Sequence, residues 1–344
     1  MSGFTALPKG SLILVTGANG YIGSHTINVL LGLGYRVRGT VRSEKPWLSE
    51  FFHSKYDKDT FELVLVPNLE DEEALGKAMA GVSGVAHVRL TLKEQASDIS
   101  MSDDPKAVIP WVVKATETAL SAAAKHSSIK RFVLTSSAFA AVIPQPNKEM
   151  HIDESTWNDF AIKAAWDPNT PKEIKPGAIY SASKAEGERA AWKWIEENKP
   201  GYSFNTILPN FNTGEILHPN IGGSTMGFAR DLLKGQGGML NAFMPQWYVD
   251  VADVARLHAI ALLAEPVKSQ RIWASAHPVN ASDFIDVFRE LRPDNKLIPE
   301  KQADEGRDIS ELPPAAKAEK LLQEYFGQGW TPLKDSLAAG IRDL

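Results

Sequence analysis

Three residues of this chain have the types and spacing to handle a carbonyl oxygen: Ser137, Tyr180 and Lys184. Tyr180 and Lys184 stand four apart in YSASK. The surrounding stretch, AIYSASKAEGERAAWKWIEEN, has a helical pattern, so the two share one face. A free phenol has a pKa of about 10, too high for efficient proton exchange at neutral pH. A neighbouring ammonium predicts a lower value, because it stabilises the phenolate. RFVLTSS at 131–137 reads as a strand with hydroxyls at its end. Spacing alone leaves Ser136 and Ser137 both open as the partner of the tyrosine. A serine to bind a carbonyl oxygen, a tyrosine to give it a proton and a lysine beside them suit reduction, provided a hydride carrier is near.

The upstream sequence offers a place for that carrier. TGANGYIG at 16–23 follows an apolar run, SLILVTG, and opens a helix-patterned stretch. Gly17 permits a tight turn, Gly20 lets backbone approach a pyrophosphate, and Gly23 lets the helix pack on the strand. Asn19, Tyr21 and Ile22 complete this candidate cradle. Turns collect glycine for steric reasons too, so the placement between strand and helix carries the reading. After the second strand, YRVRGTV, the chain reads Arg42-Ser43, with no acid before Glu44. An NAD site usually has an acid there for the ribose 2′-hydroxyl, whereas an arginine suits a 2′-phosphate. The expected cofactor is NADP(H), held by Arg42 with Thr40 or Ser43; a solvated surface arginine is the alternative. Asn68 and Leu69, after the third strand, are candidates for adenine, and Val88, after the fourth, lies on the same edge.

Those motifs need elements to hold them. Strands at FELVLVP (61–67) and GVAHV (84–88) alternate with helical patterns near 71–80 and 110–126. YSFNTILP at 202–209 reads as a sixth strand. Alternation of this kind predicts an α/β fold: a doubly wound, Rossmann-type parallel sheet with a smaller C-terminal lobe. Residues 1–209 are expected to form the cofactor-binding domain. Residues 210–344 are expected to form a substrate lobe that interleaves with it, and 138–177 reads as irregular.

Composition narrows the function. The 344 residues carry a formal net charge of -5 and no basic run, which gives a nucleic-acid partner no electrostatic support. There is no cysteine, hence no disulfide, thiolate metal site or cysteine nucleophile. The eight histidines are scattered and no HExxH occurs, so no metal is expected; His87 reads as a packing residue. No run approaches the ~18 apolar residues of a membrane span, and the opening residues lack a signal-like apolar core. A cytoplasmic location is the expectation, and the oligomeric state stays open.

TGANGYIGS, RGTVRS, VAHV, LTSSAF, YSASK and LPNFNTG together resemble the extended short-chain dehydrogenase/reductases. Within them the chain is most similar to the dihydroflavonol and cinnamoyl-CoA reductase group, especially the yeast and fungal NADPH-dependent aldehyde (carbonyl) reductases. The resemblance runs from about residue 11 to 344. It implies a Rossmann fold, NADPH, a small carbonyl substrate and a Ser-Tyr-Lys triad, and it selects Ser137 over Ser136. Lys184 would also hydrogen-bond the nicotinamide ribose. The supporting asparagine of the family has no counterpart on the helix before the fifth strand, where Thr116 or Thr118 stands near its place. ILPNFNTG resembles the segment around the nicotinamide, with Pro209 fixing the turn and Phe211, Asn212 and Thr213 approaching the carboxamide. FMPQWYVDVADVARLH resembles the segment lining the substrate site. Phe243, Met244, Gln246 and Trp247, with Phe139, are the candidate substrate contacts; plain lobe core is the alternative for the first four. In the family the fourth strand runs directly into Ala-Ser or Ala-Thr. Here Arg89 to Gln95 intervene, and they read as an outward-looping insertion because of Arg89, Lys93 and Glu94; the alternative is that they displace the usual cofactor loop and impair NADPH binding. Rival readings are a sugar-nucleotide epimerase or steroid dehydrogenase of the same fold, and a non-catalytic NADP-sensing protein.

Overall fold

β-Branched and leucine-rich runs build the sheet that holds these motifs. The computed structural model describes residues 3–88, 102 and 104–344. Its main sheet contains β1 (Leu12–Thr16), β2 (Arg36–Val41), β3 (Phe61–Leu65), β4 (Gly84–His87), β5 (Arg131–Thr135), β6 (Ser203–Pro209) and β9 (Arg271–Ala274). β7 (Phe211–Thr213), β8 (Gln246–Asp250) and β10 (His277–Val279) form a second, three-stranded sheet. The main sheet is parallel throughout, in the order β3-β2-β1-β4-β5-β6-β9. The order reverses between β1 and β4, and a cleft at such a reversal is where open α/β sheets bind ligands. Thr16, Val41, His87 and Thr135 close their strands on this one edge.

Side chains alternate across the sheet and supply two cores. Ile13, Val15, Val133 and Ile207 face one layer, which includes α1 (Tyr21–Gly32). Leu14, Val85, Phe132, Leu134 and Phe204 face the other. There they meet α3 (Glu72–Ala78), α4 (Pro105–Ala124) and α6 (Lys175–Asn198). α2 (Pro46–Lys55) packs beside β3, and α5 (Asp159–Trp166) packs on α6. Gly34, at φ 83, stops α1, as its place in the sequence predicts.

Beyond β7 come α7 (Thr225–Asp231), α8 (Gly238–Phe243), α9 (Val251–Leu263), α10 (Ala281–Leu291), α11 (Pro313–Phe326) and α12 (Leu333–Gly340). α9 packs against α1, and β9 extends the main sheet beside β6. A cut at 209 would therefore remove a strand and a covering helix from the sheet.

Two elements differ from the sequence reading. α4 starts at Pro105, capped by the Asp104 side chain, and carries Pro110 inside it, whereas the apolar pattern begins it near 110. The stretch 138–177 is not wholly irregular: Asn158 caps α5, its side chain accepting from Ala161 N. The Asn cap was the missed start signal. The segment 89–95, read as an insertion, lies outside the described residues.

Candidate active site

The cradle is built by close approach. Gly17 has φ 68, a conformation that favours glycine, and Gly20 donates its N–H to Gly17 O at 2.9 Å. A Cβ on Gly23 would stand 2.2 Å from that same carbonyl oxygen. α1 can therefore meet the strand end only with glycine there. Gly20 is the N-cap of α1 and supplies no side-chain hydrogen bond, so the N–H groups of the first turn remain for an anion. Asn19 Oδ1 is buried with no partner beside this turn. Arg42 follows directly on β2, which pairs with β1 in register Thr16↔Thr40. A dinucleotide fits this set: turn, helix N-terminus, orphaned acceptor and an arginine directly after β2, the strand beside β1.

The structure treats the other candidates unequally. Tyr21 does not offer its side chain: its hydroxyl donates to Gly214 O at 2.7 Å, and burial pushes the phenol's pKa up. Ile22 is half-buried against the core. Asn68 is exposed, with Oδ1 accepting from Glu70 N, and Leu69 is buried in the core, so little of it remains for adenine. Val88 N donates to Thr16 Oγ1 at 3.0 Å, which ties the β4 edge to the cradle. Pro209 ends β6. Phe211 and Thr213 turn inward, because alternate residues of β7 face opposite sides. Phe211 lies edge-on to Phe284, and Thr213 bonds Ser336. Any approach of theirs to a carboxamide is through backbone. Asn212 faces the other way, with a buried Oδ1 that has no partner.

Ser137, Tyr180 and Lys184 come together. Ser137 is buried beyond the end of β5, near enough to Tyr180 to act on its phenol, and its Oγ accepts from Phe139 N at 3.2 Å. Lys184 Nζ lies over the Tyr180 ring, 5.7 Å from its centroid. Ser136 points elsewhere, donating to Glu188 Oε2 at 2.7 Å. The expectation that Lys184 would lower the phenol's pKa is overturned. Burial raises it, and the opposing influence is the neighbouring Ser137 hydroxyl. The lysine charge sits over the ring and does not offset that burial. Burial also brings Lys184 down to about 8, with the Glu188 charge working against it. A phenol that holds its proton suits donation to a carbonyl oxygen.

Of the candidate substrate residues, Phe139 and Trp247 line one narrow cavity with Ala138, Asn210, Trp273 and Leu312. The Phe139 ring meets Tyr180 edge-on at 6.2 Å. Phe243 instead stacks on Phe228 at 5.5 Å, and Met244 packs against the same core. Gln246 is buried, its Nε2 donating to Phe243 O. These three do not line the cavity; lobe packing accounts for Phe243 and Met244. Thr116 packs against α6, where a Cβ on Gly187 would lie 3.9 Å from its Oγ1, but that hydroxyl is spent on Val112 O.

Sequence reasoning missed Trp273, Asn158 and Glu188. Asn158 Nδ2 donates to Phe139 O at 2.9 Å and so holds the turn after Ser137. The signal for Glu188 was present, since it follows Lys184 by one more turn of the same helix face.

Comparisons with known proteins show the family and the fold. The model of the NAD dependent epimerase/dehydratase family matches residues 13–273. Ketoreductase nvfG of Aspergillus novofumigatus is 42% identical over 339 residues, 97% of each chain. Aldehyde reductase 2 of Sporidiobolus salmonicolor is 37% identical, covering 98% of this chain and 96% of its own. The fold matches yeast methylglyoxal/isovaleraldehyde reductase Gre2, solved with NADPH, at a TM-score of 0.78 and 23% identity, over 96% of this chain and 97% of that one.

Proposed function

Because the chain belongs to the NAD dependent epimerase/dehydratase family, we propose that it reduces aldehydes or ketones to alcohols with NADPH. The observation that carries this is that Ser137, Tyr180 and Lys184 come together, with Lys184 Nζ 5.7 Å from the Tyr180 ring centroid and the Ser137 hydroxyl acting on the same phenol. The curated relatives named ketoreductase and aldehyde reductase support the reaction class. Gly17, Gly20, Gly23 and the N-terminus of α1 would hold the diphosphate, Arg42 the 2′-phosphate and Lys184 the nicotinamide ribose. The nicotinamide, when bound, supplies hydride to the carbonyl carbon.

The chain's own residues do the rest. Ser137 donates a hydrogen bond to the carbonyl oxygen and draws it toward the phenol. Tyr180 transfers its proton to that oxygen as negative charge develops there. Lys184 keeps an ammonium beside the resulting phenolate. Phe139 and Trp247 wall the substrate's apolar side and exclude water.

The test is oxidation of NADPH, followed by absorbance, against a panel of aldehydes and β-keto esters. Tyr180→Phe is expected to bind NADPH like the parent and to lose about 10²–10⁴-fold in turnover. Near-parent turnover in that variant would remove Tyr180 from the mechanism.

A further inference from the structure

Two serines stand side by side after β5, and extended backbone sends neighbouring side chains to opposite sides. Ser137 has φ -160 and ψ 151, so only one hydroxyl of the pair can face Tyr180. What decides between them is on the far side of the strand. Glu188 lies on α6 four residues past Lys184 and eight past Tyr180, about 6 Å farther along the axis for each four-residue step. Its carboxylate is buried, and Oε2 accepts from Ser136 Oγ at 2.7 Å. Oε1 accepts from Thr206 Oγ1 at 2.8 Å and from Arg271 Nε at 2.8 Å.

We infer that Glu188 and Ser136 are positioning residues for the proposed reduction: the carboxylate captures the Ser136 hydroxyl and thereby turns Ser137 toward the Tyr180 phenol. This rests on the reductase reading of the same site.

The construction is more elaborate than packing requires. Arg271 is itself buried, donates from Nη1 to the carbonyls of Glu154 and Thr156, and lies 3.9 Å from the Trp157 ring centroid. Buried ion pairs seldom add net stability over apolar residues of similar volume, and their best-attested use is to fix one arrangement among several. Here the pair pins β5, β6, β9 and α6 at one point, a helical turn from the catalytic lysine. Ser136 N adds a 2.7 Å bond to Ile207 O, so the residue is held by backbone and side chain alike. Misplacement by about 1 Å is enough to cost a reaction of this kind about 10²-fold. The charge of the same carboxylate favours the Lys184 ammonium against burial.

Two variants test the inference, each compared with Tyr202→Phe. That substitution deletes a different buried hydrogen bond, to Leu120 O, remote from the hub, and so reports the effect of lost stability alone. Ser136→Ala is expected to lower kcat about tenfold or more, with the carbonyl KM and NADPH affinity within twofold of the parent. Glu188→Gln, if it folds, should do the same and also move the alkaline limb of the kcat profile to lower pH, because Lys184 loses its counter-charge. The ζ-carbon resonance of ¹³C-labelled Tyr180, assigned by its absence in Tyr180→Phe, should move in Ser136→Ala and stay in Tyr202→Phe. This resonance reads the geometry without turnover. A parent that reduces no carbonyl would sink the reductase reading while leaving the resonance to decide the positioning role. An unmoved resonance in Ser136→Ala, or kcat unchanged in an active enzyme, would overturn the inference.

Discussion

Two glycines of the cradle should fail in different ways when each gains a methyl group. In Gly23→Ala the new Cβ would lie 2.2 Å from Gly17 O and 3.1 Å from its carbonyl carbon. Ordinary contact begins at 3.4 Å, so α1 and the strand end must part by about 1.2 Å. α1 cannot retreat freely, because Tyr21 Oη is bonded to Gly214 O at 2.7 Å and His25 Nε2 to Glu215 O at 2.9 Å. Overpacking of this kind costs about 1–3 kcal/mol, which is several degrees in Tm. In Gly20→Ala the Cβ meets Gly17 O at 3.1 Å, a matter of a few tenths of an ångström. Gly20 has φ -85 and ψ 165, which alanine adopts readily. Its methyl would instead occupy the space where a diphosphate must approach the backbone. The expected pair of results is therefore a destabilised Gly23→Ala and a near-parent Tm for Gly20→Ala without cofactor. Both should weaken NADPH at least tenfold, about 1.4 kcal/mol. Thermal melts of the apo protein and fluorescence titration with NADPH read the two quantities separately. Parent-like NADPH affinity in Gly20→Ala would show that the diphosphate does not sit on this turn.

Other perturbations probe the cofactor's far end and the buried histidines. Arg42→Ala should weaken NADPH by about 1.5–3 kcal/mol, roughly 10–150-fold, and leave NADH nearly unchanged; equal affinity of the parent for both would refute the 2′-phosphate role. His25, His87 and His258 are each driven by burial down to about 4, so they are neutral in the folded protein and titrate at about 6.5 once unfolded. The unfolded chain binds more protons between those values, so their stabilisation is complete above pH 6.5 and is lost as pH falls toward 4, about 2 kcal/mol per histidine at pH 5. Asp250, raised to about 6 chiefly by burial, works in the opposite sense and offsets part of that loss. Urea unfolding at pH 7 and pH 5 checks the sum, and equal stability at the two values would contradict it.

What could be read from the sequence was local. The glycine spacing at 17, 20 and 23, the strands that end at Thr16 and Val41, and the four-residue step from Tyr180 to Lys184 each depend on neighbours within a turn or two. The inward turn of Phe211 and Thr213 was not local, because it follows from where β7 pairs with β8 and from Ser336, far along the chain. Nor was the pKa of Tyr180, which is set by how deeply the phenol is buried and not by the lysine four residues on.

The choice between Ser136 and Ser137 shows the limit most plainly. Both hydroxyls stand at the end of the same strand, and nothing within RFVLTSS distinguishes them. A resemblance to related sequences selects Ser137, but it gives no cause. The cause is a carboxylate on α6, itself held by an arginine from β9, so three segments separated by 52 and 83 residues meet to settle one side chain's direction. A buried carboxylate can occupy that position only because donors converge on it from every side. It follows that the direction of Ser137 is specified less by its own neighbours than by the site's scaffold, and that a substitution in β9, such as at Arg271, reaches the proposed proton donor without touching it.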